Sequence, residues 1–229
     1  MNIMNATLHQ PELIVVPNMI PVAPVAVPLA PMAPAAGTLK WNPRAVNAPA
    51  VGIRELHLSD APSLSALVTT EPVSRFIYPP PTDREGFAKF IEWTHREQQA
   101  GRQVTFAIVP PGEDAAAGII QVRQCEADFS RAEWGFVLGE RYWGTGLFMA
   151  SADIVLRFLF ECVSVQRLEA RSVALNGRGN GVLHKLGATQ EGRLRRAFSK
   201  NGKYFDEVLW TLLASDWRQG RRLPAPRSH

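Results

Sequence analysis

Two cysteines, Cys125 and Cys162, are all that 229 residues contain. That excludes a disulfide-stapled scaffold and any four-cysteine zinc site. The five histidines, His9, His57, His95, His184 and His229, show no metal-ligand spacing, so no metal centre is expected. No glycine-rich loop ends in Gly-Lys-Ser/Thr, which removes the Walker-type phosphate loop. A bias toward one charge is also missing: the net charge is only +4. Residues 51–217 hold 19 basic and 20 acidic side chains, and the excess lies in the tail, with Arg218, Arg221, Arg222 and Arg227. A short basic tail does not make a nucleic-acid-binding protein.

Charge is absent altogether from residues 13–39. The segment is nevertheless not expected to span a membrane. Pro11, Pro17, Pro21, Pro24, Pro28, Pro31 and Pro34 interrupt any helix before it can extend. With no basic stretch ahead of the apolar run, a signal peptide also fits badly, and a cytoplasmic location is expected. Residues 1–50 read as an extended, polyproline-II-like or disordered arm.

What is present is one domain's worth of core-forming sequence, 46% hydrophobic. Alternation predicts strands near residues 52–58, 104–109, 118–122, 132–138, 168–173, 193–198 and 207–213. Helices are expected after Ser59 or Asp60 with Pro62 in the first turn, after Thr82 or Asp83, over 147–160, and over 180–186 ended by Gly187. Strands before, between and after helices give a mixed α/β domain over 51–217, followed by a basic tail over 218–229.

One segment carries most of the functional signal: Arg141-Tyr142-Trp143-Gly144-Thr145-Gly146, between the strand ending at Leu138 and the apolar helix from Leu147. Glycines there let backbone N–H groups converge, and the positive end of the helix adds to their field. The combination suits a pyrophosphate. A dinucleotide fingerprint is excluded because its third glycine and ribose-binding acid are absent.

In this context R-x-x-G-x-G resembles the coenzyme A loop of the GNAT superfamily of N-acetyltransferases. A-E-W-G-F-V-L-G-E-R-Y-W-G-T-G-L is similar to the RimJ/RimL-type branch. Asn176, V-L-H-K-L-G-A-T-Q-E-G-R-L and G-K-Y-F-D-E-V-L-W-T-L-L-A-S-D-W resemble later segments of that branch. The resemblance covers about residues 51–217. It implies a single α+β domain with a mixed, mostly antiparallel sheet flanked by helices. It also implies an acetyl-CoA-dependent acyltransferase acting on a primary amine.

By the same resemblance, the backbone of Phe136, Val137 and Leu138 meets the pantetheine arm. Tyr142, Trp143, Gly144, Thr145 and Gly146 hold the pyrophosphate, with Arg141 adding charge. Asn176 matches the asparagine that contacts the arm; its alternative role is a strand-end turn. Because a protonated amine cannot attack, a base is needed, and Glu133 is the candidate. The alternative for Glu133 is a solvent-facing strand residue. Period two places Glu133, Gly135 and Val137 on one face and Trp134, Phe136 and Leu138 on the other.

The chain departs from the branch at Gly179, often a serine there, and at Leu183, where other acetyltransferases carry a tyrosine. Neither familiar acid is present. Ala188 replaces an aromatic residue. Asn180 and His184 lie nearby, His184 reading as a surface or core-edge residue, and Cys162 reads as core. Arg193, Arg195, Arg196, Lys200 and Lys203 suit a phosphate, an acidic partner or simply solvent, and Asp206 an amine or a braced turn.

The acceptor is a protein N-terminal α-amine, as for a ribosomal protein, or a small amine such as an aminoglycoside, polyamine or amino-acid derivative. A non-catalytic CoA-binding module is the reading from a different class. Membrane partners are not expected, nucleic acid is disfavoured, and a homodimer stays open.

Overall fold

The computed structural model describes residues 51–222. The proline-rich arm and the last seven residues of the basic tail lie outside the described residues.

Seven strands form one sheet: β1 (Gly52–Glu55), β2 (Gln103–Val109), β3 (Gly118–Gln124), β4 (Arg131–Leu138), β5 (Arg167–Val173), β6 (Thr189–Lys200) and β7 (Lys203–Leu213). Their order is β1-β2-β3-β4-β5-β7-β6. Every pairing is antiparallel except β4–β5. The helices are α1 (Ala61–Val68), α2 (Glu71–Ser74), α3 (Arg84–Gln99), α4 (Leu147–Arg157), α5 (Gly177–Lys185) and α6 (Ala214–Arg222). The expected mixed, mostly antiparallel sheet is what forms. The boundary expected at 217 falls inside α6.

Period-two alternation on β4 sorts its side chains onto two cores. Trp134 and Leu138 join Leu147, Phe148 and Ala152 of α4 and Trp217 of α6 on one face. Val137 joins Phe87, Phe90 and Ile91 of α3 and Leu64 of α1 on the other. Helices thus cover both faces, and each strand of the centre is buried on both sides.

Two helix starts follow the expected chemistry. The Asp83 carboxylate accepts from the Gly86 N–H at 2.8 Å and caps α3. Asp60 precedes α1 with Pro62 in the first turn, but its carboxylate does not cap that helix. It accepts from both Arg54 nitrogens at 2.7 Å, from His57 N–H at 2.8 Å and from Ala116 N–H at 3.0 Å. Burial would raise its carboxyl, and these donors outweigh it and hold it below the ordinary carboxylate value.

The helix expected over 147–160 is corrected. It is α-helical to Arg157 and continues as π-helix over Phe158–Val163. The wider turn changes the rotation of the residues after it, and Cys162, expected in the core, is exposed.

Candidate active site in the β4–β5 split

The parallel pairing of β4 and β5 is short. It joins Arg131 to Arg167, Ala132 to Leu168 and Glu133 to Glu169, and then ends. Beyond that point β4 stays with β3 to Leu138, and β5 stays with β7 to Val173. The sheet is therefore split at its centre. A cleft of about 890 Å³ lies there. Its volume falls within the range of ligand pockets.

Phe136, Val137 and Leu138 form one wall, and Leu175, Asn176, Gly177 and Gly179 the opposite one. The outer end is closed by Tyr142, Trp143, Gly144 and Gly146 with Phe148 and Met149 of α4. The inner end is covered by Val73, Arg75, Phe76 and Ile77 from the segment around α2.

The loop before α4 takes the form its glycines require. Gly144 (φ 75°) and Gly146 (φ 84°) are left-handed, and a Cβ on either would meet no atom within 4 Å. Glycine is needed there for backbone conformation, and the space beside it is open. The Trp143 indole donates to the Leu138 carbonyl at 2.9 Å, latching the loop onto the end of β4. Arg178, in the first turn of α5, stacks on the Trp143 ring at 3.9 Å. Arg178 and Lys185 bring positive charge to this end.

Not every residue of the loop faces the cleft. Thr145 turns its hydroxyl inward, donating to Tyr142 O at 2.8 Å and accepting from Leu147 N–H at 3.3 Å. Arg141 is exposed, bonds the Tyr142 hydroxyl and reaches Glu113 at 3.3 Å. Burial, and then a hydrogen bond to Glu113, push the Tyr142 phenol above its ordinary value.

Asn176 ends the turn after β5. Its side-chain oxygen accepts from Gly179 N–H at 3.0 Å and caps α5. Asn180 is fully used by the fold: it donates to Val173 O at 3.0 Å and Asn176 O at 2.9 Å and accepts from the Trp210 indole at 2.8 Å. Leu183 is buried in the core, and His184 is exposed.

Glu133 stands at the closed end of the split. It is 4% exposed, which overturns the solvent-facing alternative. One oxygen accepts from Arg123 at 2.6 Å, and the other is buried with no hydrogen-bond partner. A buried, half-satisfied carboxylate is costly to the fold. Glu133 does not itself line the cleft.

On the same face lies Glu207 of β7, opposite Val173. Burial pushes its carboxyl above the ordinary value, Arg171 partly offsets this, and the Glu133 charge adds to it. Sequence reasoning passed over Glu207, because strand parity marks a face but does not say which faces are dry.

The hairpin residues do not reach the cleft lining. Asp206 accepts from Arg193 Nε at 2.8 Å and from Arg196 N–H at 2.9 Å. That brace holds a register shift between Leu194 and Phe198. The shift swings Lys200 toward α2, where its ammonium donates to Ser74 O and to Ile77 O at 3.1 Å. Tyr78 packs edge-on against Phe198, ring centroids 4.7 Å apart. The wall formed by Arg75, Phe76 and Ile77 is thus tied to β6. Reasoning from sequence missed this wall and also missed Arg178. The one available signal was the proline bracket around P-V-S-R-F-I-Y-P-P-P, which fixes a short ordered segment.

A split sheet, a cleft along the split and a glycine loop entering a helix make up the site. The model of the acetyltransferase (GNAT) domain matches residues 51–189, and the chain belongs to this family of acyltransferases. It is 25% identical over 122 residues to the [ribosomal protein uS5]-alanine N-acetyltransferase of Escherichia coli K12, covering 53% of this chain and 63% of that protein. It is 22% identical over 183 residues to the spermidine N(1)-acetyltransferase of the same strain, covering 78% and 94%. A ribosomal L7/L12 alpha-N-protein acetyltransferase (RimL) solved with coenzyme A shares the fold, with a TM-score of 0.66 at 20% identity, covering 72% of this chain and 95% of that one. No helix among the described residues is long and apolar enough to cross a membrane.

Proposed function

We propose that the β4–β5 cleft binds acetyl-CoA and that the enzyme transfers its acetyl group to a primary amine, preferring the α-amine of a polypeptide. The observation that carries this reading is the split itself, open on the backbone of Phe136, Val137 and Leu138 and ending at the Gly144–Gly146 turn. The residues present fit the co-substrate: the cleft holds about 890 Å³, and Arg178 and Lys185 in its lining carry the countercharge its phosphates need.

Each residue then has a task. The N–H groups between Tyr142 and Gly146, with the start of α4, hold the pyrophosphate. The β4 edge takes the pantetheine arm in place of the strand partner it lacks there. Asn176 fixes that arm from the β5 side. The co-substrate supplies an acetyl group activated as a thioester. Glu133 takes the proton of the amine through water, since it stands behind the cleft and not in it. An α-amine, with an ordinary pKa near ~8, needs less help than a lysine near ~10.4.

The lining favours a chain terminus over a polycation. Its only carboxylate is Glu140, beside the loop, whereas Arg75, Arg178 and Lys185 are cationic. A polyamine or aminoglycoside would meet no acidic counterpart at the inner end, where Val73, Phe76 and Ile77 are apolar. The family relatives include both kinds of enzyme, so the acceptor is the point to test.

Thiol release from acetyl-CoA is measured with peptides, polyamines and aminoglycosides. Amine-dependent release is expected, greatest with peptides, and Glu133→Gln is expected to lower kcat about 100-fold. A preference for spermidine would reverse the acceptor assignment. CoA binding with no release on any amine would favour a binding module instead.

A further inference from the structure

Residues 192–206 of the β6–β7 hairpin hold five cations and one acid, on a domain whose charges otherwise balance. The fold uses two of the cations, Arg193 on Asp206 and Lys200 on the carbonyls of Ser74 and Ile77. Arg195, Arg196 and Lys203 are exposed, and no carboxylate among the described residues forms an ion pair with them. The cleft chemistry gives these three no task.

The backbone makes them project. Leu194 pairs with Glu207, and the next pair is Phe198 with Phe205, so residues 195–197 stand opposite Asp206 alone. Arg196 takes a left-handed backbone, φ 53°, which is uncommon for a long side chain. Asp206 holds it there by accepting its N–H at 2.9 Å. The Arg196 guanidinium lies 4.5 Å from the centroid of the Tyr204 ring, itself 57% exposed. A strained residue held in place at an exposed site calls for a use.

Position ties this surface to the cleft. The Asp206 carbonyl accepts from Ala174 N–H at 2.8 Å, so the bulge lies beside the end of β5, where Leu175 and Asn176 enter the cleft lining. Leu175 is 68% exposed. From β5 across β7 to β6 is two strand spacings, about 10 Å, and an extended chain advances about 3.3 Å per residue. A polypeptide whose first residues lie in the cleft, and which leaves over Leu175, meets the bulge at about its fourth to sixth residue.

Resting on the functional reading above and narrowing its substrate, we propose that the β6–β7 hairpin docks the acceptor polypeptide, and that preferred acceptors carry Asp or Glu at about their fourth to sixth positions. Arg195, Arg196 and Lys203 meet those carboxylates, and Leu175 and Tyr204 supply apolar surface between the charges. Exposed pairs of this kind are individually weak, and they act through encounter and choice of partner. The surface therefore governs KM more than kcat, and salt weakens it.

Three peptides that share their opening residues, with Asp, Gln or Lys at positions four to six, are compared as acceptors. At about 50 mM salt, the Asp peptide is expected to exceed the Gln peptide about tenfold in kcat/KM, mostly through KM, with the Lys peptide lowest. The spread should shrink at about 500 mM salt. In Arg195→Glu with Lys203→Glu the order should reverse, which misfolding cannot produce, and the acetyl-CoA Kd should stay within about twofold. Fluorescence anisotropy of the labelled Asp peptide reads docking without turnover, and binding should weaken in the double variant. Equal kcat/KM for the three peptides would overturn the proposal and leave the transferase standing. Loss of acetyl-CoA affinity in the double variant would assign the hairpin to the co-substrate instead. Tighter binding of single-stranded RNA than of the Asp peptide would assign it to nucleic acid, and either result overturns the proposal. Acetyl-CoA binding without turnover of any peptide would overturn the acceptor reading, and this inference with it.

Discussion

Glu207 of β7, paired with Val173 of β5, is 4% exposed, and burial holds its carboxyl above the ordinary value. A carboxyl raised in the folded state is an ionisation the fold resists. Below the unfolded-state value, near ~4.3, both states are protonated and no penalty exists. As pH rises from there through the folded value, the unfolded state ionises first and stability falls. Glu207→Gln is therefore expected to be more stable than wild type at neutral pH, with the gain shrinking toward pH ~4.5. Each 1 kcal/mol of relief should appear as about 2–4 °C in Tm, read from melts at the two pH values. At this scale the sequence was uneven as a guide. Glu133 and Asn176 stood out by their motif positions. Glu207 and Arg178 did not, because burial and stacking across a cleft arise only when distant segments meet.

Strands and loops were more legible than helices. The alternation on β4 placed Trp134, Phe136 and Leu138 against Glu133, Gly135 and Val137 correctly, because both faces are buried and a one-residue slip would invert them. The glycine loop declared itself through Gly144 and Gly146, whose positive φ values favour glycine over most side chains. Three features left no hydropathy pattern: the four residues of α2, which only prolines bracket, the π turn after Arg157 and the shift in β6. The last two are register changes, and hydropathy repeats do not encode them. The β6 shift has a consequence that can be measured. Lys200 ties the Arg75–Phe76–Ile77 wall to the hairpin, and burial draws its ammonium below the ordinary lysine value. Lys200→Met is expected to loosen that wall. The KM for the amine should rise about tenfold while the KM for acetyl-CoA stays within about twofold. Amide exchange across residues 72–80 should also quicken. Equal changes in both KM values would assign Lys200 to general stability instead.

Across the molecule, the same sheet that builds two cores also opens between β4 and β5, and the helices decide how far. α4 and α6 close one face: Trp217 packs on Phe160 with ring centroids 5.2 Å apart, and Arg218 donates to the Phe160 carbonyl at 3.0 Å. The sequence reading assigned residues from 218 onward to a tail because their charge dominates their composition, but α6 carries the fold to Arg222. Trp217→Ala is expected to cost about 3–5 kcal/mol, seen as a lower denaturation midpoint with the slope unchanged.

The central claim is that the Gly144–Gly146 turn and the start of α4 hold the anionic end of acetyl-CoA. Gly146 tests it cleanly, since asparagine and aspartate both tolerate its left-handed backbone and differ by one charge. Calorimetric titration of acetyl-CoA into wild type, Gly146→Asn and Gly146→Asp is the measurement. The account predicts binding by wild type, modest weakening in the asparagine variant and a further loss of about 100-fold or more in the aspartate variant. Equal affinity in the two variants would contradict it.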